Sequence, residues 1–400
     1  MKYNISKAKK SNKIFPFYNG LSADIIFWPI ISTLFLTTIK EINASQINSI
    51  ISISILLSIF GCFFIIKLTN SIGKLNMIKI GNLFAILAII IFILSRNYYQ
   101  ILIGYTLYQY SIILKSVDLV LLRNNLKFIG IEKDFFSYSS KGSLVYSLLS
   151  LTAAITSGFL FNINANLPLY VSLVFAIISF IMSHMLYEIP YLNKKSVDTK
   201  INFKFSSIII IAFIIYMLFA GLNSVGQVNT KLLLQYEMAL FLTSKKVVTT
   251  LAIIVFISRV ARVISNVFSP KIYNKLKNKV IVISSMLLTF ALSIILIGDF
   301  VGKGYLGVII ISFGFILLLM LKDPVENLLK DLLLSKSASK YHEKIMIYLM
   351  ILRKTSEFLL GMIISVILLN FTLKYALLFM LLISIFMIII VLRLYKLLKN

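Results

Sequence analysis

Acidic residues are scarce in this chain, and so are cysteine, histidine and proline. Asp and Glu make up 14 of its 400 residues against 40 Lys and Arg, with 2 His, 1 Cys and 6 Pro. A lone cysteine, Cys62, excludes an internal disulfide and any metal site built on several thiolates. It reads as a small buried apolar residue. His184 and His342 stand in different halves, and no H-E-x-x-H or other paired-ligand spacing occurs. No metal and no cofactor is therefore expected. There is no G-x-x-x-x-G-K-[ST] loop to hold ATP phosphates. Nor is there a cluster of His, Asp or Ser towards one face, so an enzyme is not expected.

What the chain has in abundance is apolar surface: 59% of its residues are hydrophobic, and its mean hydropathy is +0.96. That composition predicts an all-α polytopic membrane protein. The formal charge of +26 would mark a nucleic-acid binder in a soluble protein. In a chain this apolar, lysines instead mark the cytoplasmic loops and meet anionic membrane lipids, and no nucleic acid is expected. The richness in Lys, Asn and Ile is of the kind found in low-GC bacteria, which points to a bacterial plasma membrane. Lys2, Lys7, Lys9, Lys10 and Lys13 precede an apolar run too long for a signal-peptide core, with no small-x-small site after it. The first helix is expected to act as an uncleaved anchor.

Runs of about 20 apolar residues, the length of a spanning helix, fall near 17–39, 46–66, 77–95, 99–122, 138–161 and 167–188. A second set falls near 205–228, 246–268, 279–298, 305–322, 345–369 and 374–394. This predicts twelve transmembrane helices in two pseudo-symmetric six-helix bundles, residues 1–189 and 205–400, joined by a cytoplasmic linker at 190–204. Loop charge sets the orientation. Lys67, Lys74, Lys79, Arg123, Lys127, Lys133, Lys194, Lys195 and Lys200 fall on one side, as do Lys271, Lys275, Lys277, Lys330, Lys336 and Lys340. The opposite loops carry few: Lys40, Arg96, Lys231, Lys303 and Lys374. Both termini are thus expected in the cytoplasm. Shifted by 208 positions, Val117 and Asp118 fall on Val325 and Glu326, and the basic loop around Lys74 recurs around Lys275. Such repeats are the trace of a transporter built from two related bundles.

Twelve spans, a six-plus-six split and a basic loop after the second span resemble the major facilitator superfamily. A branch of drug-efflux-type bacterial permeases carries a pattern like S-G-x-D-E-A-L-x-Y-D-x-L-K. Here the corresponding stretch runs from Lys115 to Lys127, and Asp118, Leu121, Leu126 and Lys127 match it. Leu119 and Asn124 stand at acidic positions, and Lys115 at a small one. Other motifs are worn. Asn70-Ser71-Ile72-Gly73-Lys74 lacks the Asp-Arg core of the usual loop, Tyr105 stands near an expected arginine, and Ala153–Gly158 is all that remains of the antiporter motif. The resemblance implies a secondary transporter working by alternating access, exporting a small amphipathic compound against protons, and acting as a monomer. It also implies that the first, fourth, seventh and tenth helices line the cavity. Two other readings stand beside it: a flippase or exporter of a lipid or lipopeptide with a basic cavity, and a non-transporting sensor or assembly partner.

A charge within a span is costly unless it is paired or meets water, so the charged positions are the candidate sites. Asp24 in the first span, Asp118 and Glu357 are candidates for proton coupling. For Asp24 the competing account is a structural partner of Lys115 or of a backbone group. Lys115 and Asp118 are three residues apart, which on one continuous helix places them on one face as an ion pair. Candidates for the substrate cavity are Trp28, Tyr105, Tyr108, Gln109, Lys115, Asn223, Gln227 and Arg259. Arg259 and Arg262 also read as snorkelling side chains, and Asn223 and Gln227 as neighbours of a packing face at Gly221 and Ser224. Tyr98 and Tyr99 suit a membrane-interface belt. Lys322, Asp323 and Glu326 are candidates for a cytoplasmic gate, with Lys322 and Glu326 one turn apart around Pro324. Arg353 and Glu357 have i,i+4 spacing.

Overall fold

The structure, a computed structural model, describes residues 4–131, 134–189, 206–276, 278–302, 304–336 and 342–399. The predicted linker at 190–204 lies outside them. Among the described residues every element is helical, in the order α1 (Ile5–Ser22), α2 (Trp28–Thr38), α3 (Ala44–Ile72), α4 (Lys74–Leu94), α5 (Tyr98–Lys115), α6 (Asp118–Ile129) and α7 (Phe135–Ile163). These are followed by α8 (Leu167–Met185), α9 (Ser207–Ala239), α10 (Ser244–Leu276), α11 (Lys279–Val301), α12 (Tyr305–Ser335), α13 (His342–Asn370) and α14 (Leu373–Lys399). Nine of them are long and apolar enough to cross a membrane: α3, α4, α7 to α12, and α14. The chain is a multi-pass membrane protein.

Fourteen helices stand where twelve spans were expected. Ten predicted spans each hold one helix; the first and fourth are split. The first breaks between Ser22 and Trp28, and the fourth at Ser116 and Val117. Of two apolar runs that look continuous by hydropathy, the fourth is interrupted by a turn whose residues keep right-handed helical angles, and the first carries non-helical backbone. Such backbone survives at membrane depth only where protein or water satisfies its polar groups. Several helices also outrun their predicted ends. α9 continues to Ala239, so Lys231, expected in an outer loop, is buried inside a helix at 7% exposure. α10 continues to Leu276 and carries Lys271 and Lys275 on its last turns.

The chain divides into two compact units, Met1–Ser32 with Leu57–Ile201, and Thr33–Leu56 with Asn202–Asn400. In the first unit α1 packs on α6, α7 and α8, and α4 packs on α5 and α8. Phe15, Tyr18, Ile78, Leu121, Leu122, Leu126 and Leu186 fill a core at one end of it. In the second unit α12 packs on α9, α10 and α11, and α9 also packs on α13 and α14. Gly298 and Gly314 bring α11 and α12 together, because a Cβ on Gly314 would come within 2.8 Å of the Ala291 carbonyl. Large apolar side chains such as Leu94, Phe159, Ile309 and Ile389 are exposed, as suits helices that face lipid.

The start of α4 shows how one distant residue fixes a helix. Gly73 adopts φ 85°, a conformation L side chains avoid, and supplies no side chain to cap the helix. The carboxylate of Glu188, which follows α8, does so instead. It accepts hydrogen bonds from the backbone N–H of Lys74 at 3.0 Å and of Leu75 at 2.8 Å. These are donors the helix itself leaves open, and the anion also meets the positive end of the helix dipole. Glu188→Ala is expected to lower stability by about 1–2 kcal/mol, read as a lower melting temperature of the purified chain. Glu188→Gln, which keeps one acceptor, should fall between the two.

Candidate functional site

The two helix breaks of the first unit meet. α1 ends at Ser22, and its last carbonyls carry the negative end of the helix dipole. Lys115, the last residue of α5, donates from Nζ to the Ser22 carbonyl at 2.5 Å. The ammonium therefore sits at the C-terminal ends of two helices, where a cation is favoured by up to ~2 kcal/mol when partly buried. Asp118 opens α6, at the end that favours an anion. Its carboxylate accepts from the Leu119 N–H at 2.6 Å and from Asn19 Nδ2 at 2.9 Å. Lys115 and Asp118 are each 6% exposed.

The expected direct pair between Lys115 and Asp118 is absent from the ion pairs of the described residues. The break at Ser116 and Val117 turns the two side chains to different partners. Lys115 instead lies within electrostatic reach of both Asp24 and Asp118.

Asp24 sits in the non-helical segment between α1 and α2. Its Oδ1 accepts from the Tyr108 hydroxyl at 2.6 Å and from the Ile25 N–H at 2.7 Å. The same segment is tied to α8, since the Phe27 N–H donates to Ser172 Oγ at 3.4 Å. Ser22, Asp24, Asn82, Lys115, Ser172 and Ser179 line a cavity of about 10 Å³. That is about the smallest volume that holds one water, far below the several hundred Å³ of a drug-sized pocket. Ser179 donates to Asn82 Oδ1 at 2.8 Å, and Asn82 donates to the Tyr18 hydroxyl at 3.1 Å. A polar chain thus leads from the cavity toward α1.

The aromatic candidates pack against one another beside this break. Trp28 stacks on Phe92 with centroids 4.0 Å apart, and Tyr105 meets both rings edge-on at 5.5 and 5.3 Å. Trp28 and Tyr105 are buried; Tyr108 is buried and reaches Asp24; Gln109 is half-buried on α5.

The second unit carries a charged network of its own. Glu326 on α12 accepts from Arg353 Nη1 at 3.0 Å and lies 3.6 Å from Lys330 Nζ. Arg353 Nε also donates to Glu357 Oε1 at 3.0 Å, as the i,i+4 spacing on α13 predicted, and Ser224 Oγ donates to the same oxygen at 2.6 Å. Arg262 grips Asp323 with two bonds of 2.6 Å, and Asn266 adds a third of 2.9 Å. The expected Lys322–Glu326 pair is not among the described ion pairs; Pro324 lies inside α12 between them, and Glu326 turns to Arg353 and Lys330.

On α9, Asn223 Nδ2 donates to the Leu318 carbonyl at 2.7 Å, and Gln227 Nε2 donates to Asn223 Oδ1 at 2.6 Å. Arg259 lies half-buried on α10. The sequence reading passed over Lys231, Asn19, Asn82 and Ser172. For Lys231 a signal existed: Asn223, Gln227, Lys231 and Gln235 recur every four residues, one polar row on one helix face.

No family model matches the sequence, and no curated protein matches it. Solved structures do match its fold. The nucleoside transporter NupG superposes with a TM-score of 0.76 at 11% identity, over 96% of this chain and 99% of that one. A bacterial homologue of the iron transporter ferroportin, in an inward-facing state, gives 0.70 at 14% identity over 98% and 100%. The POT family transporter PepTSo gives 0.71 at 11% identity over 98% of each chain. The chain has the fold of these transporters.

Proposed function

We propose that this protein is a secondary transporter of a small solute, coupled to protons at Asp24 and working by alternating access, with Asp118 as the alternative proton site. The observation that carries this reading is the break in the first span, which sets Asp24 and Lys115 beside non-helical backbone amid apolar helices. Broken helices and buried ionisable groups mark solute and ion pathways in membrane proteins. The cavity at the break admits a proton or a water, not an amphipathic solute, so this site is assigned to coupling and not to cargo. The structural neighbours handle nucleosides, iron and peptides. Export of an amphipathic compound, from the sequence resemblance, is the favoured direction. The surplus of cations in the second unit favours an anionic cargo, lipid or soluble, as the second reading.

The test uses the full chain in liposomes with a pH-sensitive dye inside. Uridine, a dipeptide, ferrous iron and an amphipathic dye are supplied in turn under a pH gradient. The expected result is solute flux that moves the lumenal pH and stops when an ionophore collapses the gradient. Flux of all four equal to that of protein-free liposomes, with no lumenal pH change, overturns the reading.

A further inference from the structure

The second unit holds a cleft that proton coupling at Asp24 does not use. It opens where α9 ends and α10 and α12 begin, and its volume is about 360 Å³. That falls within the several-hundred-Å³ size of small-molecule sites. Phe241, in the turn after α9, meets Tyr305 at the start of α12 edge-on, with ring centroids 4.9 Å apart, and both rings line the cleft. Buried Val308 lines it too, as do Lys245, Lys246 and Thr249 on the first two turns of α10. Among the described residues that line it, none is acidic.

α10 and α12 both start at the cleft and pack on each other, so they run away from it side by side. On α10, Lys245, Thr249, Ile253 and Ile257 recur every four residues, and all are exposed. On α12, Tyr305, Ile309 and Phe313 do the same. Residues four apart share a helix face. Each stripe therefore begins with a polar or aromatic group at the cleft and turns apolar within two turns. A bilayer has that order from its surface inward, with headgroups and amphipathic rings at the interface and acyl chains below.

Charge points the same way. The loops expected at this end of the chain carry few cations, Lys40 and Lys374 among them, yet here two lysines stand side by side on one cleft. Lysines at a membrane surface attract lipids of negative charge, about 1 kcal/mol each. A zwitterionic headgroup brings no net charge to meet them. We propose that this cleft binds the headgroup of an anionic phospholipid, its phosphate at Lys245 and Lys246, its glycerol against Phe241 and Tyr305, and its acyl chains on the stripes of α10 and α12. The lipid is a bound partner and not the cargo, so the inference stands apart from the transport reading.

The test measures thermal unfolding of the delipidated full chain in neutral detergent, with phosphatidylglycerol added against phosphatidylcholine of the same acyl chains. Phosphatidylglycerol is expected to raise the melting temperature saturably, and phosphatidylcholine to leave it in place. Lys245→Gln with Lys246→Gln should weaken the apparent affinity about tenfold or more. Lys245→Arg with Lys246→Arg should keep it, and Tyr305→Ala should weaken it by a smaller factor. Lys271→Gln with Lys275→Gln, an exposed pair at the far end of α10, should leave it unchanged. A photoactivatable phosphatidylglycerol should label residues 241–250 or 305–313 of the parent, and that label should fall in the Lys245→Gln, Lys246→Gln chain. A parent that answers both lipids alike, a Lys245→Gln, Lys246→Gln chain of unchanged affinity, an equal loss at Lys271 and Lys275, or labelling confined to other segments each overturns the inference. So does glycerol 3-phosphate binding as tightly as the lipid, which would make the cleft a site for a soluble anion. Should the chain with both glutamines fail to fold, Tyr305→Ala and the labelled segment of the parent decide. Lipid binding needs no gradient, so solute flux without a phosphatidylglycerol shift sinks this inference alone, and a shift without flux sinks the transport reading alone.

Discussion

Arg353→Ala is expected to be the most destabilising single change in the second unit. Arg353 is shared by two carboxylates, Glu326 at 3.0 Å and Glu357 at 3.0 Å, whose side chains are only 6% and 15% exposed. Removing one partner of a buried pair costs about 3–5 kcal/mol, because the charge left behind has no water to replace it. Arg353 is itself 30% exposed, which lets some water reach the gap, so the lower end, about 3 kcal/mol, is expected. Lys330 holds Glu326 only at 3.6 Å, while Glu357 keeps the Ser224 hydroxyl. Glu326 is thus the more exposed to the loss, and its Oε1 is already buried without a hydrogen-bond partner. Thermal unfolding reads the effect. Adding Glu326→Gln to Arg353→Ala should recover a good part of the loss, and the double-mutant cycle isolates that coupling. An Arg353→Ala chain as stable as the parent would show that solvent screens the network and that it holds α12 to α13 weakly.

The contrast between the two units follows how far sequence patterns reach. Rough helix placement was legible, because an apolar run of spanning length leaves little choice in lipid; the helix number was not, since the first and fourth runs each hold two helices. Arg353 and Glu357 were legible as a pair because i,i+4 spacing within one helix fixes distance. Lys322 and Glu326 have that spacing too, yet Pro324 and a better partner on α13 took Glu326 away. Spacing predicts a pair only where no other helix competes. The break after Ser22 was not legible. Ser22-Ala23-Asp24 carries neither glycine nor proline, and what ends α1 there is tertiary: Lys115 on the Ser22 carbonyl, Tyr108 on Asp24 and Ser172 on the Phe27 N–H. Each of these groups lies more than 80 residues away in the chain. Glu188 at the start of α4 is the same case. Lys231 was misplaced because hydropathy ends the seventh span at its first cluster of polar residues, whereas the helix carries that polar row along one buried face.

Asp24→Asn is expected to abolish gradient-driven flux while leaving solute exchange across liposomes nearly intact. Asparagine keeps an acceptor for the Tyr108 hydroxyl and for the Ile25 N–H, the two bonds that shape the break. What it removes is the group that takes up and releases a proton. Lys115 would then have Asp118 as its remaining carboxylate within reach. Asp118→Asn is the informative comparison. Asp118 is already held by the Leu119 N–H and by Asn19, at the end of α6 where an anion is favoured. Asp118→Asn removes the anion from this helix start and should lower stability more than it changes coupling. Asp24, by contrast, lies in the non-helical segment between α1 and α2 and borders the cavity. If coupling survives Asp24→Asn and fails in Asp118→Asn, the proton resides at the start of α6 and the broken first span is a structural joint. If both variants transport with full coupling, the proton site lies elsewhere and the reading of this break as a coupling device falls.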